Sequence, residues 1–376
     1  MKRVVLFSGG SACRSLNNAL CRKDVSLTRI VPAWDSGGSS RTIRLSLDML
    51  SVGDIRQALM TMAHGEKRSG DVVRICNTRL SSDLQSQDAR TEFTAYLEGY
   101  HPLLERLEPG LRGAIVNYLK TFAAEAGNTF NYRNGSIGNF ILSGAYLAHN
   151  RDINTAIFVF RKLCGISGNV WPSSLCNDLI LSATLNDGKI VSPQDQITKM
   201  AESDALTGIK NIELRTSDGH VPGANPVVLE AIRDADLIVF GPGSFYTSIL
   251  PHLQVDGITS AVSQSGCPVV FISNILQCKE SLGLGLREVS ERFEREWKIQ
   301  SSNVALPVLY LFGNRRFLAI DKYVNGFAYL SDEVSECEEY RVVLDEFEDV
   351  WERGKHDGTA VAAKLLALTD GPVLSL

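Results

Sequence analysis

Short apolar runs that end at glycine or polar turns recur along this chain and predict the strands of an open α/β sheet. The clearest runs lie at residues 4–7, 27–31, 237–240, 268–273 and 308–312. Because they show little polar alternation, they are typical of parallel strands that are buried on both faces. Helical periodicity follows several of them, so strands and helices alternate as expected for a parallel α/β fold.

Residues 92–163 follow a different pattern, because their apolar positions recur at helical spacing and few segments there resemble strands. We interpret residues 70–165 as a helical subdomain inserted into a single domain that spans residues 1–376. Residues 300–376 contain an acidic stretch and a last helix, and we expect them to form a C-terminal extension packed on the body.

Residues 179–185 and 189–191 are separated by Asp187-Gly188 and predict a β-hairpin. The remaining predicted elements are a strand at residues 212–214 and helices at residues 226–235, 281–297 and 359–368.

Composition and charge narrow the functional classes. With 44% hydrophobic and 22% charged residues, the chain has an ordinary globular composition. Its 38 basic and 43 acidic residues give a net charge of −5, so we expect no nucleic-acid partner. We also expect no membrane insertion, because no apolar run reaches about 18 residues. The first apolar run resembles a strand rather than a signal peptide.

The cysteines and histidines indicate a reducing compartment rather than a metal site. The eight cysteines are scattered without a CxxC pair, and the six histidines form no HxxxH pair. We therefore expect buried free thiols in a cytoplasmic protein, and we disfavour a zinc site or a disulfide framework.

Two glycine turns carry the strongest chemical signal. Residues 236–253, DLIVFGPGSFYTSILPHL, combine a buried strand with the turn Gly-Pro-Gly-Ser and with hydroxyls that suit a helix start. Residues 7–11, FSGGS, follow the first strand in the same way. Strand, glycine turn and helix form an anion site in an open α/β sheet, so the two turns predict one phosphate-binding cleft. Alone, the first turn could equally be a structural tight turn.

Two carboxylates suit a divalent cation near the same cleft. Asp35 follows the second strand and precedes Ser-Gly-Gly-Ser-Ser, and Asp54 opens an amphipathic helix. Mg²⁺ often takes one or two carboxylates together with phosphate oxygens, so the pair could share one ion. Asp35 also suits a ribose hydroxyl. The alternative is that each carboxylate only caps a helix. Arg44 and Arg56 are candidate phosphate clamps.

Other polar residues carry weaker signals. Asn139 lies in the first turn of a helix that Ser136 opens, and Asn225 precedes another helix. Each is either a polar ligand contact or part of a helix start. His252 follows the second glycine turn closely, whereas the other histidines are expected at the surface or in the core. Gly-Pro-Gly-Ser is not a nucleophile elbow, and serine-hydrolase chemistry is disfavoured because no Ser/His/Asp set can be named.

The order and wording of these motifs resemble the superfamily of CofD-like 2-phospho-L-lactate transferases and gluconeogenesis factors. The resemblance covers residues 4–282 and is closest to the gluconeogenesis factor branch. It implies a three-layer, Rossmann-like, mostly parallel sheet with a helical insertion, in a protein that is usually a homodimer. It rests on the first glycine turn and on Asp35-Ser-Gly-Gly-Ser-Ser, Gly53-Asp-Ile-Arg, Ser136-Ile-Gly-Asn, Asn225-Pro and Gly241-Pro-Gly-Ser-Phe-Tyr-Thr-Ser-Ile.

The resemblance also implies a small phosphorylated ligand, namely a nucleotide diphosphate or a nucleotide sugar. In the transferase branch, a deazaflavin hydroxyl attacks a phosphate of a guanylylated lactate with Mg²⁺ assistance. Proteins of the other branch bind nucleotide sugars such as UDP-N-acetylglucosamine and act as metabolic or envelope-growth regulators. The implied catalytic and metal-binding pair is Asp35 and Asp54. The candidate ligand-binding residues are Gly9, Gly10, Ser11, Gly37, Gly38, Ser39, Ser40, Arg44, Arg56, Asn139, Asn225, Gly241, Gly243, Ser244, Thr247, Ser248 and Asn274.

The chain departs from the family pattern at three places. The first turn reads Ser-Gly-Gly-Ser-Ala where the family usually has Gly-Gly-Gly-Thr-Gly, and Ser36 stands where the family has a second acid. Around Asn274 the chain reads Ser-Asn-Ile-Leu-Gln-Cys-Lys instead of the common Asn-Val-Met-Thr-Gln-Pro. Two hypotheses follow: a nucleotide-binding regulator without turnover, and a Mg²⁺-dependent transferase that moves a phosphoryl-linked group to an alcohol. A dinucleotide-dependent oxidoreductase ranks last because the chain has no GxGxxG fingerprint.

Overall fold

The computed structural model describes residues 1–63, 69–83, 85–302, 307, 309–315, 323–334 and 340–369. The strands are β1 (Lys2–Phe7), β2 (Val25–Val31), β3 (Asn169–Pro172), β4 (Ile180–Leu185), β5 (Ile190–Val191), β6 (Ile209–Arg215), β7 (Leu237–Phe240), β8 (Val269–Ile272), β9 (Leu309–Asn314), β10 (Tyr323–Val324), β11 (Phe327–Ala328) and β12 (Tyr340–Asp345). The helices are α1 (Arg14–Cys21), α2 (Gly38–Leu47), α3 (Gly53–Met62), α4 (Ser69–Asn77), α5 (Ser86–Leu97), α6 (Pro102–Glu105), α7 (Pro109–Ala126), α8 (Ile137–Ala148), α9 (Ile153–Cys164), α10 (Gln194–Thr198), α11 (Glu202–Thr207), α12 (Pro226–Arg233), α13 (Ile258–Ser265), α14 (Leu286–Gln300) and α15 (Gly358–Ala367).

One seven-stranded sheet forms the centre of the fold, in the order β12-β9-β8-β7-β1-β2-β3. Each neighbouring pair of strands runs parallel. The predicted α/β class, with helices flanking a parallel sheet, is confirmed. Every residue of β7 and β8 is buried, as expected for apolar strands that helices cover on both faces.

The strand order reverses between β1 and β7. From β1 the chain adds β2 and β3 on one side, whereas β7, β8, β9 and β12 extend the sheet on the other side. Phe7 is in register with both Ile30 and Phe240, so three central strands end at the same level. Ligands of open parallel sheets bind outside the carboxyl ends of the strands at such a reversal. The topology therefore places a candidate site above Phe7 and Phe240.

The helical pattern predicted within residues 92–163 is present, because the described residues between 69 and 164 form α4 to α9. Helix α8 packs against α7 and α9 and also contacts α3 and α4, so the helical region reaches the element that carries Asp54. The boundaries 70–165 of an inserted subdomain stay a prediction. The predicted hairpin is formed by β4 and β5, and β6 joins β4 in a separate antiparallel sheet.

The C-terminal part differs from the sequence expectation in two ways. Strand β12 was missed within the acidic stretch at residues 332–349, because its apolar core Val342-Val343-Leu344 is short and has acidic neighbours; it pairs with β9 at the sheet edge. Helix α14 begins at Leu286 rather than 281, because the Gly285 N–H donates to Glu288 at 2.8 Å and fixes the helix start there.

That residues 300–376 form a separate C-terminal extension stays a prediction. Two of its strands, β9 and β12, lie in the main sheet. Helix α15 packs on α1: the Gly358 N–H donates to Ser15 Oγ at 2.9 Å. Val308 and Cys337 lie outside the described residues. The seven described cysteines are free thiols. Within the described ranges, no helix is both long and apolar enough to cross a membrane.

Candidate functional site

The two glycine turns meet where the strand order reverses. Gly9 and Gly10 follow β1, and Gly241 and Gly243 follow β7. A Cβ atom added to Gly243 would lie 3.6 Å from the Gly9 nitrogen, and one added to Gly9 would lie 2.9 Å from Ser248 Oγ. Residues without a side chain permit this close approach. The structure thus brings together the two turns for which the sequence predicted one cleft.

Neighbouring residues hold the second turn in place. Gly241 has a φ of +86°, and a Cβ atom there would lie 2.5 Å from the Ile272 carbonyl oxygen, so only glycine fits. Asn274, after β8, accepts the Gly243 N–H at 3.1 Å and donates to the Gly243 carbonyl at 2.8 Å. Because both the oxygen and the nitrogen of its carboxamide bond to Gly243, Asn274 positions the turn. The neighbouring Ser244 is half-buried.

A π-helical turn, Phe245–Ile249, follows the second glycine turn, and this rare geometry is frequent at functional sites. The buried Thr247 hydroxyl donates to Glu280 at 2.8 Å, and the Thr247 carbonyl accepts from Trp34 Nε1 at 2.9 Å. Burial raises the pKa of Glu280 to about 7. The Thr247 hydroxyl is therefore directed to Glu280, whereas Ser248 stays against Gly9.

Asp35 and Asp54 lie side by side next to the first turn. Asp35 accepts the Gly37 N–H at 3.0 Å, and Asp54 accepts the Gly10 N–H at 3.1 Å. A Cβ atom added to Gly53 would lie 2.3 Å from Asp35 Oδ2, so Asp35 reaches the start of α3. Burial and then the charge of Asp35 raise the pKa of Asp54 to about 7.

The alternative that these carboxylates are only helix caps is wrong. The N-cap of α2 is Gly37 and the N-cap of α3 is Val52, so neither Asp35 nor Asp54 occupies an N-cap. A buried carboxylate whose pKa is raised by a neighbouring carboxylate is chemically suited to share a cation with it.

Asp35 and Asp54 suit Mg²⁺ only if a bound ligand supplies further oxygen atoms to the ion. Within the described part of the chain, no group of three or more His, Cys, Asp or Glu side chains is placed to hold a metal ion. Mg²⁺ is commonly bound through one or two carboxylates, with waters and phosphate oxygens completing its octahedron. Asp35 and Asp54 therefore fit an ion that arrives with a phosphorylated ligand.

The two predicted arginine clamps are differently placed. Arg44 donates to the Asn177 carbonyl at 3.0 Å and to the Leu179 carbonyl at 2.8 Å, so backbone groups occupy its fork. Arg56 Nε donates to Asn139 Oδ1 at 3.0 Å. Burial lowers the pKa of Arg56 to about 10, so the side chain stays charged at neutral pH.

Asn139 links the helical region to the Asp35 turn. Its Nδ2 donates to Ser39 Oγ at 3.0 Å, while its oxygen accepts from Arg56, and the carboxamide is buried. Ser40 Oγ would lie 2.2 Å from a Cβ atom on Gly53, so this hydroxyl also touches the start of α3. Residues predicted from three separate motifs thus form one connected network.

Ser36, which replaces a family acid, has a carboxylate partner. Its hydroxyl donates to Asp195 Oδ1 at 3.0 Å and accepts the Asp195 N–H at 2.9 Å. The other Asp195 oxygen pairs with Lys199 at 3.3 Å. Sequence reasoning missed Asp195, because about 160 residues separate it from Ser36 and no spacing rule connects them.

Asn225 and His252 do not join the cleft network. The Asn225 carboxamide caps α12 and bonds to Asn154 and to the Pro172 carbonyl. His252 is buried with its ring against the edges of Phe7 and Trp34, at centroid distances of 5.2 and 5.1 Å. Burial lowers the pKa of His252 to about 3, so this ring is a neutral core group.

Sequence reasoning also missed two arginines. Arg29 is a fully buried charge on β2, directly beneath the first glycine turn. The sequence contains a signal for Arg29, because a charged residue within the predicted buried strand at residues 27–31 is unusual. Arg79 is exposed, and its Nη1 lies 3.6 Å from the Cβ position of Gly38. Arg79 therefore adds positive charge at the edge of the Asp35 turn.

A cavity of about 520 Å³ opens beside the second turn. Its walls come from the start of α1, from the turn itself and from residues 349–356, and they include Ser11, Arg14, Gly243, Asn274, Lys355 and His356. The residues between β12 and α15 therefore border the cleft, which no sequence motif indicated.

Comparison with known proteins agrees with this architecture. The family model for "2-phospho-L-lactate transferase CofD" matches residues 4–328. A gluconeogenesis factor of Halalkalibacterium halodurans is 31% identical over 73% of this chain and 67% of its own length. A gluconeogenesis factor of Listeria monocytogenes is 30% identical with the same two coverages.

A solved structure agrees as well. The crystal structure of a Bacillus halodurans protein superposes with a TM-score of 0.71 at 26% identity, over 97% of this chain and 99% of that one. The matched region extends beyond residue 282, where the sequence resemblance was expected to end, and it includes β9 of the main sheet. By the extent of the family match and by identity to its curated relatives, this chain belongs to the CofD family.

Proposed function

We propose that this protein binds a nucleoside diphosphate or a nucleotide sugar in the cleft between its two glycine turns, and that it acts as a metabolic or envelope-growth regulator. The meeting of the turns at Gly9 and Gly243, at the strand reversal, carries this proposal. Glycine backbones let a phosphate approach closely, and the ends of parallel strands position the adjoining helix for it.

The start of α1 adds to the anion site. Cys13 at its N-cap makes no side-chain bond to the helix backbone, and its Sγ donates to the Pro242 carbonyl at 3.3 Å. The first N–H groups of α1 thus lie beside the second turn without a side-chain cap. Uncapped N–H groups and the helix dipole both favour a phosphate there.

A metal ion is expected to accompany the ligand. A diphosphate placed beside Asp35 and Asp54 would be repelled by their charges unless a cation lay between them. Mg²⁺ coordinated by both carboxylates and by phosphate oxygens would offset that repulsion. We therefore propose Mg²⁺-dependent binding, with Arg56 and the exposed Arg79 adding positive charge nearby.

The regulatory interpretation rests on the relatives, which are named gluconeogenesis factors. The second candidate is a Mg²⁺-dependent transferase that moves a phosphoryl-linked group from a nucleotide donor to an alcohol. The carboxylate pair favours it, because a metal held on a diphosphate stabilises the charge that develops during phosphoryl transfer. Homodimer formation is part of the proposal and is checked by light scattering.

Isothermal calorimetry tests the proposal directly. UDP-N-acetylglucosamine, UDP, GDP and NAD are titrated into the protein with Mg²⁺ and with EDTA. We expect saturable binding of at least one diphosphate in Mg²⁺ and weaker binding in EDTA. Asp54→Asn should lose the Mg²⁺ effect, whereas Asp88→Asn, an exposed change on α5, should keep it.

Incubation with the bound nucleotide and candidate alcohols separates the two functions. Release of a nucleoside monophosphate that requires the alcohol, together with formation of the phosphate ester of that alcohol, would establish transfer. Unchanged nucleotide after prolonged incubation favours the regulator. Binding of NAD alone, or of no nucleotide at all, would overturn the proposed function.

A further inference from the structure

Arg29 is a buried cation that has no hydrogen-bonded counter-ion within the described part of the chain. Its side chain is fully inaccessible on β2, which lies between β1 and β3 in the parallel sheet. Its hydrogen bonds go to neutral oxygens: Nη1 donates to Thr61 Oγ1 at 3.1 Å, and Nη2 donates to Ser8 Oγ at 2.6 Å and to the Gly9 carbonyl at 2.5 Å. The Nε atom has no partner among the described residues. Burying a positive charge of this kind costs free energy unless a negative group compensates it.

One peptide unit connects this cation to the cleft. The carbonyl of the Gly9–Gly10 peptide points to Arg29, and the N–H of the same peptide points to Asp54 Oδ1 at 3.1 Å. In a trans peptide the two groups face opposite directions, so holding the carbonyl below also holds the N–H above. Arg29 therefore sets the orientation of the first turn and places positive charge beneath it.

We propose that Arg29 is the positioning residue and fixed counter-charge of the phosphate-binding turn: it holds the Gly9–Gly10 peptide with its N–H toward the cleft and attracts the phosphate that binds there. This inference rests on the proposed function, because it needs a phosphate above the turn. Asp54 attracts Arg29 through space without a hydrogen bond to it, and a phosphate above the turn would add a second negative group there. Attraction is strong there because the guanidinium is removed from water.

A purely structural role is the alternative. Arg29 shares Thr61 Oγ1 with Asn17 Nδ2, which donates at 2.8 Å, so the side chain also joins β2, α1 and α3. A structural role predicts lower stability on substitution and equal effects on every part of a ligand. The proposed role predicts a selective loss of affinity for the phosphates.

The test compares a nucleotide with its nucleoside. Calorimetry in Mg²⁺ measures the binding of UDP and uridine, or of GDP and guanosine if the wild type prefers guanine. The variants are Arg29→Met, which keeps a long apolar side chain, Arg29→Lys, which keeps the charge, and Arg29→Gln, which keeps a donor without charge. Arg161→Met is the matched control: Arg161 is half-buried on α9, bonds the neutral Asn169 side chain and also has an unpartnered Nε.

We expect Arg29→Met to weaken diphosphate binding by about tenfold or more, because the buried positive charge beneath the turn is lost, and to leave nucleoside binding unchanged. Arg29→Lys should restore part of the loss, and Arg161→Met should bind both probes as the wild type does. If Arg29→Met fails to fold by circular dichroism, the comparison of Lys with Gln decides, and Lys should bind the diphosphate more tightly.

Three results overturn the inference while the proposed function stands. The first is wild-type diphosphate affinity in Arg29→Met. The second is an equal loss of affinity for nucleotide and nucleoside, and the third is equal diphosphate affinity of the Lys and Gln variants. Failure of the wild type itself to bind any diphosphate counts against the proposed function instead.

Discussion

Glu280 makes stability depend on pH in a way that one substitution can remove. Its carboxyl is buried, Oε1 accepts from Thr247, and Oε2 has no partner among the described residues. Burial disfavours the charged form and raises the pKa from the ordinary value of 4.5 to about 7. We expect Glu280→Gln, which is neutral at every pH and still accepts from Thr247, to remove this dependence.

The sign and size follow from linkage. Because the folded pKa lies above the unfolded one, the carboxyl contributes stability that is fully present below pH 4.5 and is lost as the pH rises through about 7. The full difference corresponds to about 3 kcal/mol in the free energy of unfolding. Between pH 5.5 and pH 8, about 2 kcal/mol of it should be lost in the wild type and retained in Glu280→Gln.

Urea denaturation followed by tryptophan fluorescence measures this difference, because Trp34 and Trp297 are buried and Trp34 bonds the Thr247 carbonyl. The stability of Glu280→Gln relative to the wild type should increase as the pH is raised from 5.5 to 8. Other titrating groups cancel in this comparison, and Glu291→Gln, an exposed change on α14, is the control. Parallel pH profiles of the variant and the wild type would refute the reasoning.

Three further predictions concern the cleft. The affinity for a diphosphate in Mg²⁺ should rise as the pH passes about 7, because the ion competes with the proton on Asp54. In calorimetry, Asp54→Asn should abolish this rise. A rise that persists in the variant would exclude Asp54 as a metal ligand. Gly243→Val should lose nucleotide binding with the fold kept, because the strain of a side chain at a φ of +159° and the contacts of its Cβ atom, 3.3 Å from Ile249 Cδ1 and 3.6 Å from the Gly9 nitrogen, are local to the turn. Normal binding with an unchanged circular dichroism spectrum would show that the turn is only structural. Asn274→Ala should lower the free energy of unfolding by about 1–3 kcal/mol in urea denaturation, since the part-buried N–H and carbonyl of Gly243 both lose their partner. An unchanged midpoint would contradict this role.

Most of the strands and helices, and the two glycine turns, could be predicted from the sequence because they depend on the residue types within each segment. Strands such as β7 and β8 are continuous apolar runs, and this pattern arises only where both faces are buried. Gly241 marks a place where a side chain would collide with the Ile272 carbonyl and where φ is +86°, so the residue type itself indicates the turn. The strand that was missed, β12, lies at the sheet edge, where burial is incomplete and the apolar signal is weaker.

The roles of the polar residues were decided only by the tertiary structure. Asn225 and Asn139 both lie near the start of a helix, so the sequence does not distinguish their roles. In the structure, Asn225 bonds Asn154 away from the cleft, whereas Asn139 joins Arg56 to Ser39. Hydrogen bonds depend on ångström distances between segments that are far apart in the chain, and no periodicity encodes those distances. The same reason applies to Arg29: the sequence shows a charge in a strand, but only the fold shows that it lies beneath the Gly9–Gly10 peptide.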